Sequence, residues 1–228
     1  HASMCLNWKV DLCDIDNEAL LRTKNEIYPS RYKKWNEKIR LFQSKDCPKV
    51  NYDLIFIGTP PDSHIKLALD AIKESPKAII IEKPLCTPDL LGVNELKILS
   101  DSQKVPIFVG YDHVVGEASK KMVELIKNNS IGQVLTIDFE FREHWAGIFK
   151  AHHWLSGPAD TYLGDIFRGG GSSGEHSHAL NLWQYFANVV GAGKVIEVQA
   201  LMDIVSNEKV NYDRICSLNL KTENGLIG

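Results

Sequence analysis

A chain of 228 residues, 44% hydrophobic and 24% charged, is long enough for one large core or two small ones. Its net charge of -3 gives no electrostatic footprint for nucleic acid or an anionic membrane. No apolar run approaches the roughly 20 residues of a spanning helix, and no signal peptide is visible.

The five cysteines (Cys5, Cys13, Cys47, Cys86, Cys216) are odd in number, scattered and free of a C-x-x-C pair. That spacing argues against zinc and against a disulfide framework, and for a reducing cytoplasm. His1-Ala2-Ser3-Met4 reads as an expression-tag scar.

Trp8 to Leu12 predicts a short strand ending in Cys13-Asp14-Ile15-Asp16. Asp16 or Asn17 can cap a helix over about Glu18 to Ile27, which Pro29 should end. Ser30 to Cys47, charged and aromatic, reads as helix and loop. Asp53 to Gly58 is an apolar run bounded by Gly58-Thr59-Pro60-Pro61, a buried strand and then a turn. Asp62 and Ser63 can cap a helix whose apolar positions are Ile65, Leu67, Ala68, Leu69, Ala71 and Ile72. Ala78 to Ile81 is apolar on both faces, as suits a strand buried in a parallel sheet, and Pro84 cannot continue the ladder. Leu90 to Leu99 describes a further helix, and Val105 to Val109 a strand closing at Gly110-Tyr111. This alternation at βαβ spacing argues a parallel, doubly wound sheet.

The rhythm changes near residues 112 to 118. Glu117 to Asn128 is a helix, and Val134 to Phe141 alternates apolar and polar like a strand with one covered face. A loop rich in aromatics and histidine runs from Arg142 to Gly171. A helix over Ser173 to Val189 follows, then alternating strands near Val195 to Asp203 and Asp213 to Lys221. The second half therefore reads as α+β on an antiparallel sheet. The chain stops inside what looks like a hairpin.

Several of these residues carry chemistry. Lys83 ends a central strand, where open α/β sheets place their ligands, and is either a solvated charge or a working group. Asp14 ends the first strand. A carboxylate there can accept from the ribose hydroxyls of a dinucleotide and repel a 2′-phosphate, favouring NAD over NADP; otherwise it caps a helix. The turn at Gly58, Thr59 and Pro60 leaves backbone near the sheet edge where a nicotinamide ribose could lie, or is a simple turn. His64, one turn later, is either a solvent-facing helix residue or part of that cofactor edge.

Gly169-Gly170-Gly171 allow close backbone approach and open a helix on which Glu175, His178 and Asn181 share one face. An acid beside a histidine can tune it for proton transfer, and a solvated face is the plain alternative. Asn181 is a poor ligand, so no metal is expected. The loop's Trp154, Tyr162 and Arg168 suit recognition of a polyhydroxylated ring, or merely pack the loop.

Taken in order, Asp14, YDLIFIGTPPDSHIKLALDAI, AIIIEKPL, VGY and GGGSSGEHSHALNL resemble the Gfo/Idh/MocA oxidoreductases, the glucose–fructose oxidoreductase and inositol dehydrogenase family. The resemblance implies an α/β fold: a Rossmann-type parallel-sheet domain over residues 5–115, then an α+β domain with an open-faced antiparallel sheet over 116–228. It implies NAD, with NADP possible, and hydride transfer at a carbinol carbon of a sugar, sugar nucleotide or cyclitol. On this reading the catalytic residues are Lys83, His178 and Glu175, with His178 as proton carrier. Asp14, Gly58, Thr59, Pro60, His64, Glu82, Lys83, Pro84 and Tyr111 line the cofactor, and Lys83, Trp154, Arg168 and His178 the substrate.

The expected partners are a sugar-like small molecule and further copies of the chain through the open sheet, with no nucleic acid and no membrane. Two departures stand out. The family's tyrosine motif continues Asn-x-Arg, where this chain has Asp112-His113, and the acid ending its helix motif is Asn181 here. The first strand and G-x-G-x-x-G loop expected ahead of Trp8 are missing from the sequence. A non-catalytic NAD(P)-binding regulator and an NAD-assisted epimerase or glycosidase are the alternative readings.

Overall fold

A computed structural model describes residues 6–49 and 51–228, so His1–Met4 and Cys5 lie outside the described residues. The chain divides into two compact units, His1–Val50 and Asn51–Gly228.

In the first unit, strand β1 (Val10–Asp14) pairs in parallel with β2 (Ile39–Gln43). Arg40 on β2 donates two hydrogen bonds of 2.7 Å to the Asp11 carboxylate on β1, which locks the register Asp11↔Arg40. The strand β2 falls in a stretch expected to be helix and loop. Five residues with an arginine among them give too short an alternation to read by pattern.

Helix α1 (Asn17–Arg22) is capped by Asp16, whose side chain accepts from the Glu18 N–H. Pro29 does not end the helical path, contrary to expectation. A π turn over Thr23–Ile27 leads into α2 (Tyr28–Tyr32), which carries the proline in its first turn, where a missing N–H costs least. Lys33, at φ 73°, stops it.

Cys13 and Cys47 form a disulfide with Cα atoms 6.3 Å apart, against the expectation of unpaired thiols. The unrecognised β2 is the reason: parallel pairing brings the end of β1 beside the segment leaving β2, although 34 residues separate the two cysteines.

In the second unit, β3 (Leu54–Ile57), β4 (Ala78–Ile81) and β5 (Ile107–Val109) form a parallel sheet in the order β3-β4-β5. Helices α3 (Pro61–Ile72) and α4 (Val93–Gln103) follow β3 and β4. Ile79 and Ile81 of β4, fully buried, pack with Ile57, Ala68, Ile72, Leu96 and Val105 in the main core. Burying each isoleucine contributes on the order of 1.5–3 kcal/mol. On the opposite face of this sheet Phe56 and Phe108, in register with Ile80, are more than half exposed, so β4 is buried on one face and not on both.

Helix α5 (Glu117–Lys127) comes next, as expected. Val134 to Phe141 makes no strand. Thr136 forms one isolated bridge to Ile227, and the alternation serves packing: Val134 and Ile137 sit against a second core of Trp183, Ala187, Leu220 and Leu226. The Trp183 indole N–H donates to the Ile137 carbonyl at 2.9 Å, a partner a ladder would otherwise supply. The long loop holds a short helix α6 (Ala146–Ala151) and three single 3-10 turns.

The helix expected over Ser173–Val189 is broken at His176, giving α7 (Gly171–Glu175) and α8 (Ser177–Val189). Antiparallel β6 (Val195–Ser206) and β7 (Asn211–Thr222) close the fold. No helix among the described residues is long and apolar enough to cross a membrane.

Candidate active site

The carboxyl edge of the β3-β4-β5 sheet gathers three turns. Gly58-Thr59-Pro60 leaves β3 exposed, while Glu82-Lys83-Pro84 leaves β4 with a cis Lys83–Pro84 peptide. His64 in the first turn of α3 is completely buried, and its two ring nitrogens meet the Thr59 carbonyl at 2.6 Å and the Pro84 carbonyl at 3.0 Å. It faces inward, not to solvent, and ties the first two turns together. Glu82 Oε2 accepts from the Lys83 N–H at 3.2 Å, and a Cβ on Gly110 would meet that oxygen at 3.1 Å. Glycine at 110 thus lets the third turn, after β5, close over Glu82.

Lys83 crosses from this edge to the end of α7. Its Nζ donates to the Glu175 carbonyl at 2.9 Å and lies 2.9 Å from Glu175 Oε2. Both side chains are largely buried, at 14% and 19% exposure. The Tyr162 hydroxyl donates to the same carboxylate oxygen at 3.3 Å, and burial, aided by the Glu175 charge, pushes the phenol well above its ordinary value. An ammonium has three protons, and these contacts engage two, which leaves one for an incoming hydroxyl.

The break at His176 leaves Glu175 and His178 on two different helices. Glu175 holds Lys83 and Tyr162, while His178 sits in the first turn of α8 among Tyr111, His113 and Phe141, with ring centroids 5.6, 4.6 and 6.2 Å away. Burial chiefly, then the Lys83 and His113 charges, hold His178 below its ordinary value of 6.5 against the opposing pull of Asp112 and Glu175. The ring therefore stays neutral and able to take a proton. Its Nδ1 is buried and makes no hydrogen bond.

The glycines opening α7 are fixed from β7. Asp213, fully buried, accepts from the Ser173 N–H at 2.7 Å and its hydroxyl at 3.0 Å. Gly171, at φ +81°, passes so close that a Cβ there would collide with the Asp213 carboxylate. From the sequence, Tyr162 is only one aromatic of the recognition loop and Asp213 has no role. Neither has a motif, and only the fold brings them to α7.

Two expected substrate residues are engaged elsewhere. Arg168 Nε donates to Asp62 Oδ2 at 2.6 Å, and the Trp154 ring packs on His152 and His153 within its own loop. Asp14 belongs to the first unit, where its Oδ1 accepts from the Asp16 N–H at 2.8 Å while Asp16 itself is the cap.

The residues at this edge suit a dinucleotide's nicotinamide end: exposed backbone at Gly58–Pro60 beside the N-terminus of α3, with Lys83 next to it. Comparisons with known proteins agree with that fit. No curated protein matches the chain. Among solved structures, WlbA dehydrogenase from Bordetella pertussis, in complex with NADH and UDP-GlcNAcA, is 18% identical with a TM-score of 0.68, over 96% of this chain and 57% of that one. The myo-inositol 2-dehydrogenase from Lactobacillus plantarum is 18% identical with a TM-score of 0.66, over 96% and 61%. The inositol dehydrogenase homolog from Azotobacter vinelandii, complexed with NADH and myo-inositol, is 16% identical with a TM-score of 0.59, over 77% and 43%. The chain thus spans about two-fifths to three-fifths of the length of these proteins, and the likeness is one of fold. Residues 10–111 match the Gfo/Idh/MocA model of the oxidoreductase family with an NAD-binding Rossmann fold.

Proposed function

We propose that the chain forms the catalytic part of an NAD-dependent dehydrogenase acting on a carbinol carbon of a sugar, sugar nucleotide or cyclitol. The reading rests above all on Lys83, held by Glu175 at the sheet edge with one proton to give, near a histidine kept neutral by burial. NAD, when bound, accepts the hydride. Lys83 donates to the substrate oxygen and fixes its position, and His178 takes the hydroxyl proton. Glu175 sets the position of Lys83 and contributes to His178 only through its charge. Gly58, Thr59, Pro60, Pro84 and Tyr111 would line the cofactor, while Glu82 and His64 hold its turns from beneath. Asp14 would receive the ribose hydroxyls, which favours NAD over NADP. Trp154 and Arg168 remain substrate candidates only if they leave their present partners.

In this reading residues 5–115 serve the cofactor and 116–228 the substrate. Copies of the chain would associate through β6 and β7, where Val198, Leu201, Ile204 and Ile215 are exposed. A cytoplasmic location goes with it, and the Cys13–Cys47 disulfide pulls the other way. Stoichiometric NADH formation with a panel of sugars, sugar nucleotides and cyclitols tests the assignment. NAD binding without hydride exchange on any of them would favour a regulator. Turnover with no net NADH would favour an NAD-assisted epimerase or glycosidase.

A further inference from the structure

A histidine that takes a substrate proton needs its two ring nitrogens in different states. A neutral imidazole carries one N–H, and its other nitrogen accepts. Nδ1 of His178 is shielded from water and makes no hydrogen bond, and Nε2 is not closed off in this way. The substrate proton therefore arrives at Nε2, and the N–H belongs on Nδ1. A buried N–H without an acceptor is costly, so Nδ1 needs a partner.

The spacing along the chain offers Glu175, three residues before His178, but Glu175 is taken. Its carbonyl and carboxylate hold Lys83, and the carboxylate also accepts from Tyr162. A different acid faces Nδ1. Asp112 Oδ1, in the turn after β5, lies 3.8 Å from it. That is too long for a direct bond, but the Asp112 side chain is 80% exposed while that of His178 is 14% exposed. A rotation of the exposed carboxylate closes the remaining ~1 Å without moving the ring, which Tyr111, His113 and Phe141 hold in place.

We propose that Asp112 is the positioning residue of His178: it accepts from Nδ1–H, leaves Nε2 free for the substrate hydroxyl proton, and balances the imidazolium that forms. In that step the substrate O–H bond breaks, an N–H bond forms at Nε2, the hydride goes to NAD, and Asp112 stays ionised. Burial, Lys83 and His113 disfavour the imidazolium, while Asp112 and Glu175 favour it, and the Tyr111 phenol lies beside the ring.

The proposal rests on the dehydrogenase reading for the step it serves, but its first test needs neither cofactor nor sugar. Nitrogen-15 NMR of the histidine rings reports tautomer and pKa, with the His178 signals assigned by their loss in His178→Gln. Wild type should hold the Nδ1–H tautomer. Asp112→Ala should lower the His178 pKa by about 0.5–1 and bring in the Nε2–H tautomer. Asp112→Asn should lower the pKa similarly yet keep the tautomer, because its amide oxygen still accepts. The acid limb of kcat/KM should move down with the pKa in both variants, with KM for NAD unchanged. An Nε2–H tautomer in wild type, or variants that titrate like wild type, would overturn the proposal. No NADH formation by a wild type with the expected tautomer would count against the dehydrogenase reading and for the placement of Asp112.

Discussion

Lys83 and Glu175, 92 residues apart, meet twice: the lysine ammonium reaches both the backbone carbonyl and the carboxylate of the same glutamate, each at 2.9 Å. The carbonyl contact fixes where the ammonium sits, and the carboxylate pairs with it in a largely dry place. A buried pair of this kind is poor evidence for stability, because desolvation offsets most of its attraction. Positioning is the better account of it.

Lys83→Ala should retain NAD binding and lose turnover by about 10²–10⁴-fold, the range of a donor acting on a developing charge. Cofactor fluorescence titration and steady-state kinetics measure the two separately. Turnover within a few-fold of wild type would remove Lys83 from the chemistry.

Tyr162→Phe separates a supporting contact from a working one. The hydroxyl gives Glu175 Oε2 one long hydrogen bond of 3.3 Å, worth about 0.5–1.5 kcal/mol. Its loss should lower kcat less than about tenfold and leave KM for NAD unchanged. A loss as large as that of Lys83→Ala would make Tyr162 itself a donor to substrate.

The sequence made much of this site legible because its pieces are local. An apolar run ending in Glu-Lys-Pro and a glycine turn after a strand are read from neighbouring residues, and β4 runs over Ala78–Ile81 as expected. What escaped depends on distant partners. The strand β2 exists because β1 is there to pair with it, and the Cys13–Cys47 disulfide follows from that pairing. Val134 to Phe141 has the alternation of a strand yet finds one bridge, since a pattern of side chains does not supply a neighbouring backbone. The helix break at His176 likewise has no signal in the helical spacing: Glu175, before it, meets Lys83, and His178, after it, meets Tyr111 and His113.

The depressed His178 predicts the acid side of the pH profile. A base held below 6.5 stays neutral down to lower pH than a free imidazole, so the acid limb of kcat/KM should lie below 6.5. The stability consequence has a definite sign. The unfolded chain binds this proton first as pH falls, so the His178 contribution is complete above about 6.5 and is lost on acidification through the lower folded value. An acid limb above 6.5 would mean that another group limits the rate.

Asp14 gives a cofactor prediction of its own. As a carboxylate at the end of β1 it should repel a 2′-phosphate, so NAD should bind more tightly than NADP, and Asp14→Ala should narrow the ratio by about tenfold, the effect of removing roughly 1.4 kcal/mol of repulsion. Titrating wild type and variant with both cofactors measures it. Tighter NADP binding by wild type would show that Asp14 does not face the ribose.

Gly171→Ala and Asp213→Asn probe the same latch from its two sides. A methyl at Gly171 meets the Asp213 carboxylate in a left-handed backbone conformation, so alanine should cost about 1–3 kcal/mol in chemical denaturation. Asp213→Asn keeps the size and an oxygen for the Ser173 N–H, but its NH2 makes the Ser173 hydroxyl accept where it now donates, and the acceptor loses its charge, at a cost of about 0.5–1.5 kcal/mol. If the latch positions Glu175, both variants should also lower kcat beyond what their folded fraction explains, with KM for NAD unchanged. Full kcat in the folded fraction would confine Asp213 to holding the fold.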